Sequence, residues 1–458
     1  MAQLTPGQHI HLVGIGGTGL SAIARVLLGQ GYRVSGSDNN ANGFTEALAR
    51  QGAAIYKGHS AQAVEGADAV IVTSAASPNH VEIQAARAAG IPVYKRSDVI
   101  ASIMRGKTAI AVAGTHGKTT TTAMIAHILI ETGRDPSYII GGTLSTTGQN
   151  AGVGAGSAFV IEADEYDNMF HGLRPHIAVV TNVEWDHPDF FPTEGDLIRS
   201  FSHFAGLVDE GGVMIACADD SGALMLGETV SSVDKAYYGI DSPFAKLRAS
   251  DLVAGERGYS FRVSEGDEAL GSIHLLIPGR HNVLNALAAL KAAMFVGVPF
   301  AEAAAALSTF AGTGRRFELR GEVNGVAVID DYAHHPTAIR AVLEAARARY
   351  PDRAIWAVWQ PHTYSRTQAL WHDYLGAFGD ADHVVVTDIY AAREQPRADV
   401  TAADLVAALD HPDKYHAPTL DEAAALLLDR VEPPAAIVIM SAGDAPKIGE
   451  AYLRAKGL

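Results

Sequence analysis

Residues 109–120 read Ala-Ile-Ala-Val-Ala-Gly-Thr-His-Gly-Lys-Thr-Thr, an apolar run followed by a glycine turn and a lysine. The run predicts a buried strand over Thr108–Ala113, and the residues after the turn predict a helix through Ile130. A strand that enters a glycine turn and then a helix points several backbone N–H groups at one place, at the positive end of the helix dipole. That is the arrangement a phosphate needs. Gly114, Thr115, His116 and Gly117 would form the cradle for ATP, with Thr120 in the first helical turn. Lys118 would add a cation for the outer phosphates, and the Thr119 hydroxyl would be a ligand for Mg2+. The loop is two residues shorter than the usual GxxxxGK[ST] pattern, so its strand-loop-helix context is what identifies it.

Downstream, Glu162-Ala163-Asp164-Glu165-Tyr166-Asp167 closes a predicted strand at Phe159–Ile161, and Asn182-Val183-Glu184-Trp185-Asp186-His187 closes another at Ile177–Thr181. Ligands of open α/β sheets bind beyond the carboxyl ends of the strands, so both groups are expected beside the phosphate loop. Carboxylate oxygen suits Mg2+ and a histidine nitrogen is an acceptable further donor, with Mn2+ as an alternative metal. Glu162 and His187, with Thr119, are the expected metal ligands; Asp164, Glu165 and Asp167 include solvated strand ends.

Upstream, the strand His9–Gly14 leads into Gly14-Ile15-Gly16-Gly17-Thr18-Gly19 and a helix from Thr18, and Asp38 follows a second strand, Arg33–Ser37. Glycines at this spacing with an acid about twenty residues on form a dinucleotide fingerprint. It would bind NAD, as in a dehydrogenase, or only a nucleoside diphosphate. A second nucleotide loop on the same chain argues against hydride transfer, which needs no ATP. A strand at Ala67–Ser74 and a helix around Val81–Ala89 continue the alternation, up to a polar break at Arg105-Gly106-Lys107.

Between Ala236 and Pro278, period-two runs at Tyr259–Val263 and Ser272–Ile277 predict an antiparallel edge or small β-subdomain. Helices at Val283–Phe295 and Phe300–Phe310 lead to a glycine-rich hinge, Ala311-Gly312-Thr313-Gly314. Strands at Val326–Ile329, Ala354–Trp359, His383–Thr387 and Ala436–Met440, with a helix after Pro336, form a third series. The fold class is therefore α/β with three domains, bounded at 1–106, 107–314 and 315–458. Candidate residues of the last third lie at a helix start (Gly279-Arg280-His281-Asn282-Val283-Leu284-Asn285), after the hinge (Arg315-Arg316-Phe317-Glu318) and at strand ends (Asp330-Asp331-Tyr332-Ala333-His334-His335-Pro336; Gln360-Pro361-His362-Thr363-Tyr364-Ser365-Arg366). Asn282 is equally readable as a plain helix N-cap.

The 458 residues carry 35 Lys+Arg against 51 Asp+Glu, a net charge of −16 that disfavours nucleic acid and anionic membrane as partners. The most apolar helical run, Asn285 to Val298, is broken by Lys291 and is too short for a membrane span, and the first residues lack the pattern of a signal peptide. The single cysteine excludes an internal disulfide. A cytoplasmic location is the default expectation.

Taken in order, HLVGIGGTGLSAIA, GTHGKTTT, EADEYD, TNVEWDH, GRHNVLNALAAL, RRFE, DDYAHHPT and QPHTYSRT resemble the Mur ligases of bacterial peptidoglycan synthesis over nearly the whole chain. The resemblance implies an N-terminal Rossmann-like domain for the UDP-sugar, a central P-loop ATPase with a parallel sheet and small β-subdomain, and a C-terminal Rossmann-like domain. It implies UDP-sugar contacts at Gly14, Gly16, Gly17, Thr18, Gly19, Asp38 and Ser74, and ATP contacts at His281, Asn282, Asn285, Arg316 and Asp331 besides the loop. His334 and Arg366 would join Lys118 as catalytic residues, facing the amino acid and acyl group. The alanine-adding branch, with UDP-N-acetylmuramate, L-alanine and ATP as substrates and an acyl phosphate between them, fits the first and last motifs; EADEYD and EWDHPDFF are also similar to the branch that recycles murein tripeptide. Similar ligases usually carry Arg where Thr363 stands, and no lysine between Lys118 and Lys235 is available for the carbamylated lysine of several sister ligases.

Overall fold

The computed structural model describes residues 3–255 and 258–458. Met1 and Ala2, with which the N-terminal reading begins, lie outside the described residues. The chain divides into two compact units. One comprises Met1–Glu184, Ile198–Leu247 and Leu287–Ala306; the other comprises Trp185–Leu197, Arg248–Ala286 and Leu307–Leu458.

The first unit opens with a parallel sheet of β1 (His9–Val13), β2 (Arg33–Asp38), β3 (Ala54–Lys57), β4 (Ala69–Val72) and β5 (Val93–Lys95), in the order β3-β2-β1-β4-β5. The chain runs outward from β1 and returns to its other side at β4, which leaves a crevice beyond the carboxyl end of β1. Val13 is in register with both Ser37 and Val72, so Gly14, Asp38 and Thr73 emerge at one level. The helix Thr18–Gly29 buries Leu20, Ile23, Val26 and Leu27.

The second sheet of this unit contains β6 (Thr108–Ala113), β7 (Ser137–Leu144), β8 (Gln149–Gly152), β9 (Ala158–Glu162), β10 (Ile177–Val180), β11 (Val213–Cys217) and β12 (Asp234–Gly239), in the order β12-β11-β10-β6-β9-β7-β8. β8 is antiparallel to β7; β6 pairs in parallel with β9 and β10. Strands buried on both faces have no polar face to show, and β10, like β6 beyond its first residue, is buried throughout. The helix Lys118–Glu131 is buried from Thr119 to Leu129, where His127 bonds the carbonyl of Ala306 at 2.8 Å and the Thr146 hydroxyl at 2.7 Å. The β8 strand lies against the first helix: Asn150 donates to the Thr18 carbonyl (3.1 Å) and to Ser21 Oγ (3.2 Å).

In the second unit, β14 (Gly258–Glu265) and β15 (Glu268–Leu275) pair antiparallel and follow β13 (Leu247–Gly255). This bears out the β-subdomain but moves its start: β12, within the expected antiparallel region, pairs in parallel with β11. The last sheet holds β16 (Glu318–Val323), β17 (Val326–Asp331), β18 (Ala354–Trp359), β19 (His383–Val386), β20 (Lys414–His416) and β21 (Ala435–Met440), in the order β16-β17-β21-β18-β19-β20. Only the edge strand β16 is antiparallel. Met440 is level with Asp331 and with Trp359, so the turns after β17, β18 and β21 open side by side. Ile329, Leu343, Trp359, Tyr374 and Phe378 fill one face; Val328, Trp356, Ile437 and Tyr452 fill the other.

Ile329 is fully buried in the middle of this sheet. Ile329→Ala should therefore lower unfolding free energy by about 2–5 kcal/mol, read as a lower denaturant midpoint with an unchanged slope; an unchanged midpoint would mean that the face is not close-packed.

Candidate active site

The turn after β6 can be built only from glycine. Gly114 has φ +142°, and a Cβ there would lie 1.9 Å from Thr181 Oγ1; Gly117 caps the helix at φ +80°. Neighbouring strand ends hold the turn: Asn182 Oδ1 accepts from His116 N (2.8 Å), Thr181 Oγ1 donates to the His116 carbonyl (2.6 Å), and Thr115 Oγ1 donates to the Glu184 carbonyl (2.7 Å). The His116 imidazole lies 2.9 Å from Glu184 Oε2. Helix geometry leaves the first-turn N–H groups without intrahelical acceptors, and the dipole adds positive potential there.

Lys118 Nζ donates to the carbonyls of Gly114 (2.5 Å) and Thr115 (3.2 Å) and to Glu165 Oε1 (2.9 Å). Burial opposes its charge, but the carboxylates of Glu165 and Glu162 outweigh burial and hold the ammonium above its ordinary pKa. Thr119 Oγ1 donates to Glu162 Oε1 at 3.2 Å, and Gly141 N donates to Glu162 Oε2 at 2.7 Å. A Cβ on Gly141 would lie 2.5 Å from that carboxylate. A hydroxyl beside a carboxylate is a donor set of hard oxygens, which fits Mg2+.

At the crevice of the first sheet, Gly14 has φ +84° and Gly17 caps the helix Thr18–Gly29. Asp38 Oδ2 accepts from Gly16 N at 2.9 Å, and Asn42 Nδ2 donates to the Gly16 carbonyl at 3.0 Å. Asp38 thus shapes the glycine turn directly. Ser74, beyond β4, accepts a long bond of 3.4 Å from Arg96.

The second unit carries a separate cluster. Arg366 Nε donates to Asp186 Oδ1 at 2.7 Å, with both side chains 4% exposed. Its Nη1 donates to His362 Nδ1 (3.0 Å) and its Nη2 to His187 Nδ1 (3.4 Å). Burial alone would raise the Asp186 carboxyl, yet Arg366 and His187 hold it well below its usual range. His334 Nε2 is 3.8 Å from Asp186 Oδ2, and its carbonyl accepts from Tyr374 OH at 2.8 Å. Burial and the Arg366 charge push His334 down to about 4, and burial with the charge of neighbouring His334 pushes His362 down to about 3. Both rings are neutral at pH 7, so His334 can accept a proton. His187 and Thr363 hold left-handed backbone, at φ +55° and +67°; such strain clusters at functional sites.

Asp331 accepts from Phe317 N and Ala333 N, each at 2.7 Å, and so ties the turn after β17 to the Arg315–Phe317 segment. The Arg316 guanidinium lies 5.2 Å from the Tyr332 ring centre. The sequence leaves Asn282 readable as an N-cap; the structure starts the helix Arg280–Phe295 earlier, and Asn282 donates from its first turn to the Pro278 carbonyl at 2.6 Å, with Asn285 donating to Asn282 Oδ1 at 3.1 Å. His281 packs over Gly279, where a Cβ would lie 2.4 Å from the ring.

Of the expected residues, the loop, Lys118, Thr119 and Glu162 come together in the first unit, as do Gly16 and Asp38. His187, His334 and Arg366 come together in the second. Asp186, His362 and Asn182 lie inside the quoted motifs, but only their hydrogen bonds show what they do. Glu165 is the partner of Lys118 rather than a solvated strand end. Arg96 and Gly141 carry no sequence signal at all.

Three family models match the chain: the Mur ligase family catalytic domain over residues 9–108, the Mur ligase middle domain over 112–293, and the Mur ligase glutamate ligase domain over 315–443. The chain is 42% identical to the UDP-N-acetylmuramate–L-alanine ligase of Roseiflexus sp. (strain RS-1), covering 96% of this chain and 98% of that one. It is 40% identical to the ligase of the same name from Desulfatibacillum aliphaticivorans, covering 98% of each. Among solved structures it is similar to the UDP-N-acetylmuramate-alanine ligase of Thermotoga maritima, with a TM-score of 0.81 and 28% identity over 98% of this chain and 99% of that one. It is also similar to a murein peptide ligase of Psychrobacter arcticus 273-4, with a TM-score of 0.77 and 29% identity at the same coverage.

Removing one partner of a buried ion pair strands the other, so Arg366→Ala should cost about 3–5 kcal/mol of stability. Asp186→Leu combined with Arg366→Met should recover much of it in chemical denaturation; equal losses in both would deny the coupling. A second expectation concerns pH. His334 titrates near 4 when folded against 6.5 ordinarily, so between those values the unfolded chain binds more protons. Thermal stability should fall on acidification from pH 6.5 towards 4, and less steeply in His334→Gln; identical slopes would remove His334 from the account.

Proposed function

We propose that this chain, which belongs to the Mur ligase family and is an ATP-dependent amide-forming ligase, joins L-alanine to the lactyl carboxylate of UDP-N-acetylmuramate in peptidoglycan synthesis. The observation that carries the reading is the fully engaged Lys118, held against the phosphate turn by two carbonyls and Glu165, beside the Thr119–Glu162 pair. Such a site grips and neutralises a nucleotide's outer phosphates. Relatives at 40% and 42% identity bearing the alanine-ligase name support the choice of amino acid.

A carboxylate is a poor acyl donor because its leaving group would be oxide. In the proposed sequence a lactyl carboxylate oxygen attacks the γ-phosphorus of ATP, the bond to the β–γ bridging oxygen breaks, and ADP leaves. The L-alanine amine then attacks the carbonyl carbon of the acyl phosphate and expels inorganic phosphate. Lys118 and the turn's N–H groups stabilise charge on the moving phosphoryl group, where preorganised donors act most strongly. Neutral His334 takes the proton that the amine sheds as it forms the amide. Thr119 and Glu162 would hold Mg2+, or Mn2+ in its place, with His187 a further ligand on family resemblance; a bound divalent ion supplies Lewis-acid stabilisation of phosphate oxygens. His281, Asn282, Asn285, Arg316 and Asp331 are proposed contacts of the nucleotide, and Gly14, Gly16, Gly17, Thr18, Gly19, Asp38 and Ser74 of the UDP-sugar. The domains would divide at 106 and 314. The chain's partners are then small molecules, and among the described residues no helix is long and apolar enough to cross a membrane.

Phosphate release with UDP-N-acetylmuramate should be driven by L-alanine, weakly by glycine and L-serine, and not by the murein tripeptide. Turnover with the tripeptide and none with L-alanine would replace this reading by the recycling one. Lys118→Ala should abolish phosphate release while leaving UDP-N-acetylmuramate affinity near its original value, because the two ligands occupy different sheets.

A further inference from the structure

Arg96 begins the helix Arg96–Ile103 directly after β5, and its side chain spans the crevice of the first sheet. Nη1 lies so close above the glycine turn that a Cβ on Gly19 would be 2.6 Å from it. Nη2 is 3.4 Å from Ser74 Oγ and donates to Asp164 Oδ2 at 3.2 Å. A shallow, solvent-open depression adjoins the guanidinium, lined by Val72, Ser74, Lys95, Ser97 and Asp167 among others. The Arg96 and Asp164 side chains are 17% and 33% exposed, so the pair is open to solvent on one side and can be exchanged.

The placement does not suit a purely structural ion pair. The guanidinium stands over a glycine turn at the start of the twelve-residue helix Thr18–Gly29, where backbone N–H groups already favour negative charge. Its carboxylate partner comes from the turn after β9, whose neighbouring residue Glu165 holds Lys118. A diphosphate presents more charge than one carboxylate and matches the same forked donor geometry. Asp164, left beside that diphosphate, would repel it.

We propose that Arg96 binds the diphosphate of the UDP-sugar and that Asp164 is the carboxylate which occupies Arg96 until that ligand arrives, so that the two compete for one guanidinium. The proposal rests on the UDP-sugar reading of the first glycine turn. Competition has a signature that a structural role lacks: removing the competitor should improve binding, and only while Arg96 is present.

The test is calorimetric titration of the full chain with UDP-N-acetylmuramate and, separately, with uridine, in the absence of ATP. Arg96→Gln should weaken UDP-N-acetylmuramate binding about tenfold or more, as loss of a charge-assisted bond implies. Arg96→Lys should recover part of that loss. Asp164→Asn should tighten binding by a few-fold, and by nothing in the Arg96→Gln background. Uridine, which lacks phosphate, should not distinguish any of these variants. Unchanged UDP-N-acetylmuramate affinity in Arg96→Gln, or weaker binding in Asp164→Asn, would overturn this proposal alone. No binding of UDP-N-acetylmuramate by the unaltered chain would overturn the UDP-sugar reading as well.

Discussion

A charged ammonium set into a strand-end turn constrains the first unit more than any other single feature. Lys118 cannot be left there unneutralised, because an unpaired charge taken from water carries a penalty of several kcal/mol. Two carbonyls of its own turn and the Glu165 carboxylate meet it. Those partners are in place only because β9 runs beside β6 with Val112 level with Glu162, so that the acidic turn after β9 emerges next to the glycine turn. The same register brings Thr119 to Glu162, and the register of β10 against β6, with Val180 level with Ala113, brings Thr181 to the Gly114 turn. The turn is thereby held in a fixed shape, with its cation charged and its partners oriented.

The second unit solves a similar problem with opposite sign. Asp186 is a buried anion, and Arg366 is its answer. One consequence is that Arg366 is already committed: a substrate group that meets it meets a guanidinium shared with Asp186, His362 and His187. Another is that its charge helps keep His334 deprotonated, alongside burial. The ring is thereby kept neutral, with a lone pair free of a proton, because a second positive charge beside the fixed cation is disfavoured. Around both clusters the backbone itself is shaped for the purpose, through left-handed Gly117, His187 and Thr363.

Legibility in the sequence followed burial. The strands read correctly, such as Thr108–Ala113 and Ala354–Trp359, are apolar because both faces are covered. Among the strands that escaped, Val213–Cys217 is apolar and buried throughout, whereas Val93–Lys95, Gln149–Gly152 and Lys414–His416 are short, lie at sheet edges and carry no apolar signature. The helix Arg96–Ile103 was hidden for a related reason, since its first turn is Arg-Ser-Asp. Among site residues, Lys118 and Thr119 were legible because a glycine turn with a following lysine has few other uses. Glu165 was not, because four acids in one stretch look alike until the fold turns one of them towards a lysine.

By itself the sequence determined the α/β class, the glycine turns, the family and the chemical inventory at the strand ends, since each depends on residues adjacent along the chain or on apolar runs. What only the tertiary structure decided is which charges are partners. Lys118 with Glu165, Arg366 with Asp186 and Arg96 with Asp164 are separated by tens to well over a hundred residues, and nothing local distinguishes them from their neighbours. Parallel strands place such residues side by side only through register and crossover. An acid's role is set by the cation that the sheet brings opposite it.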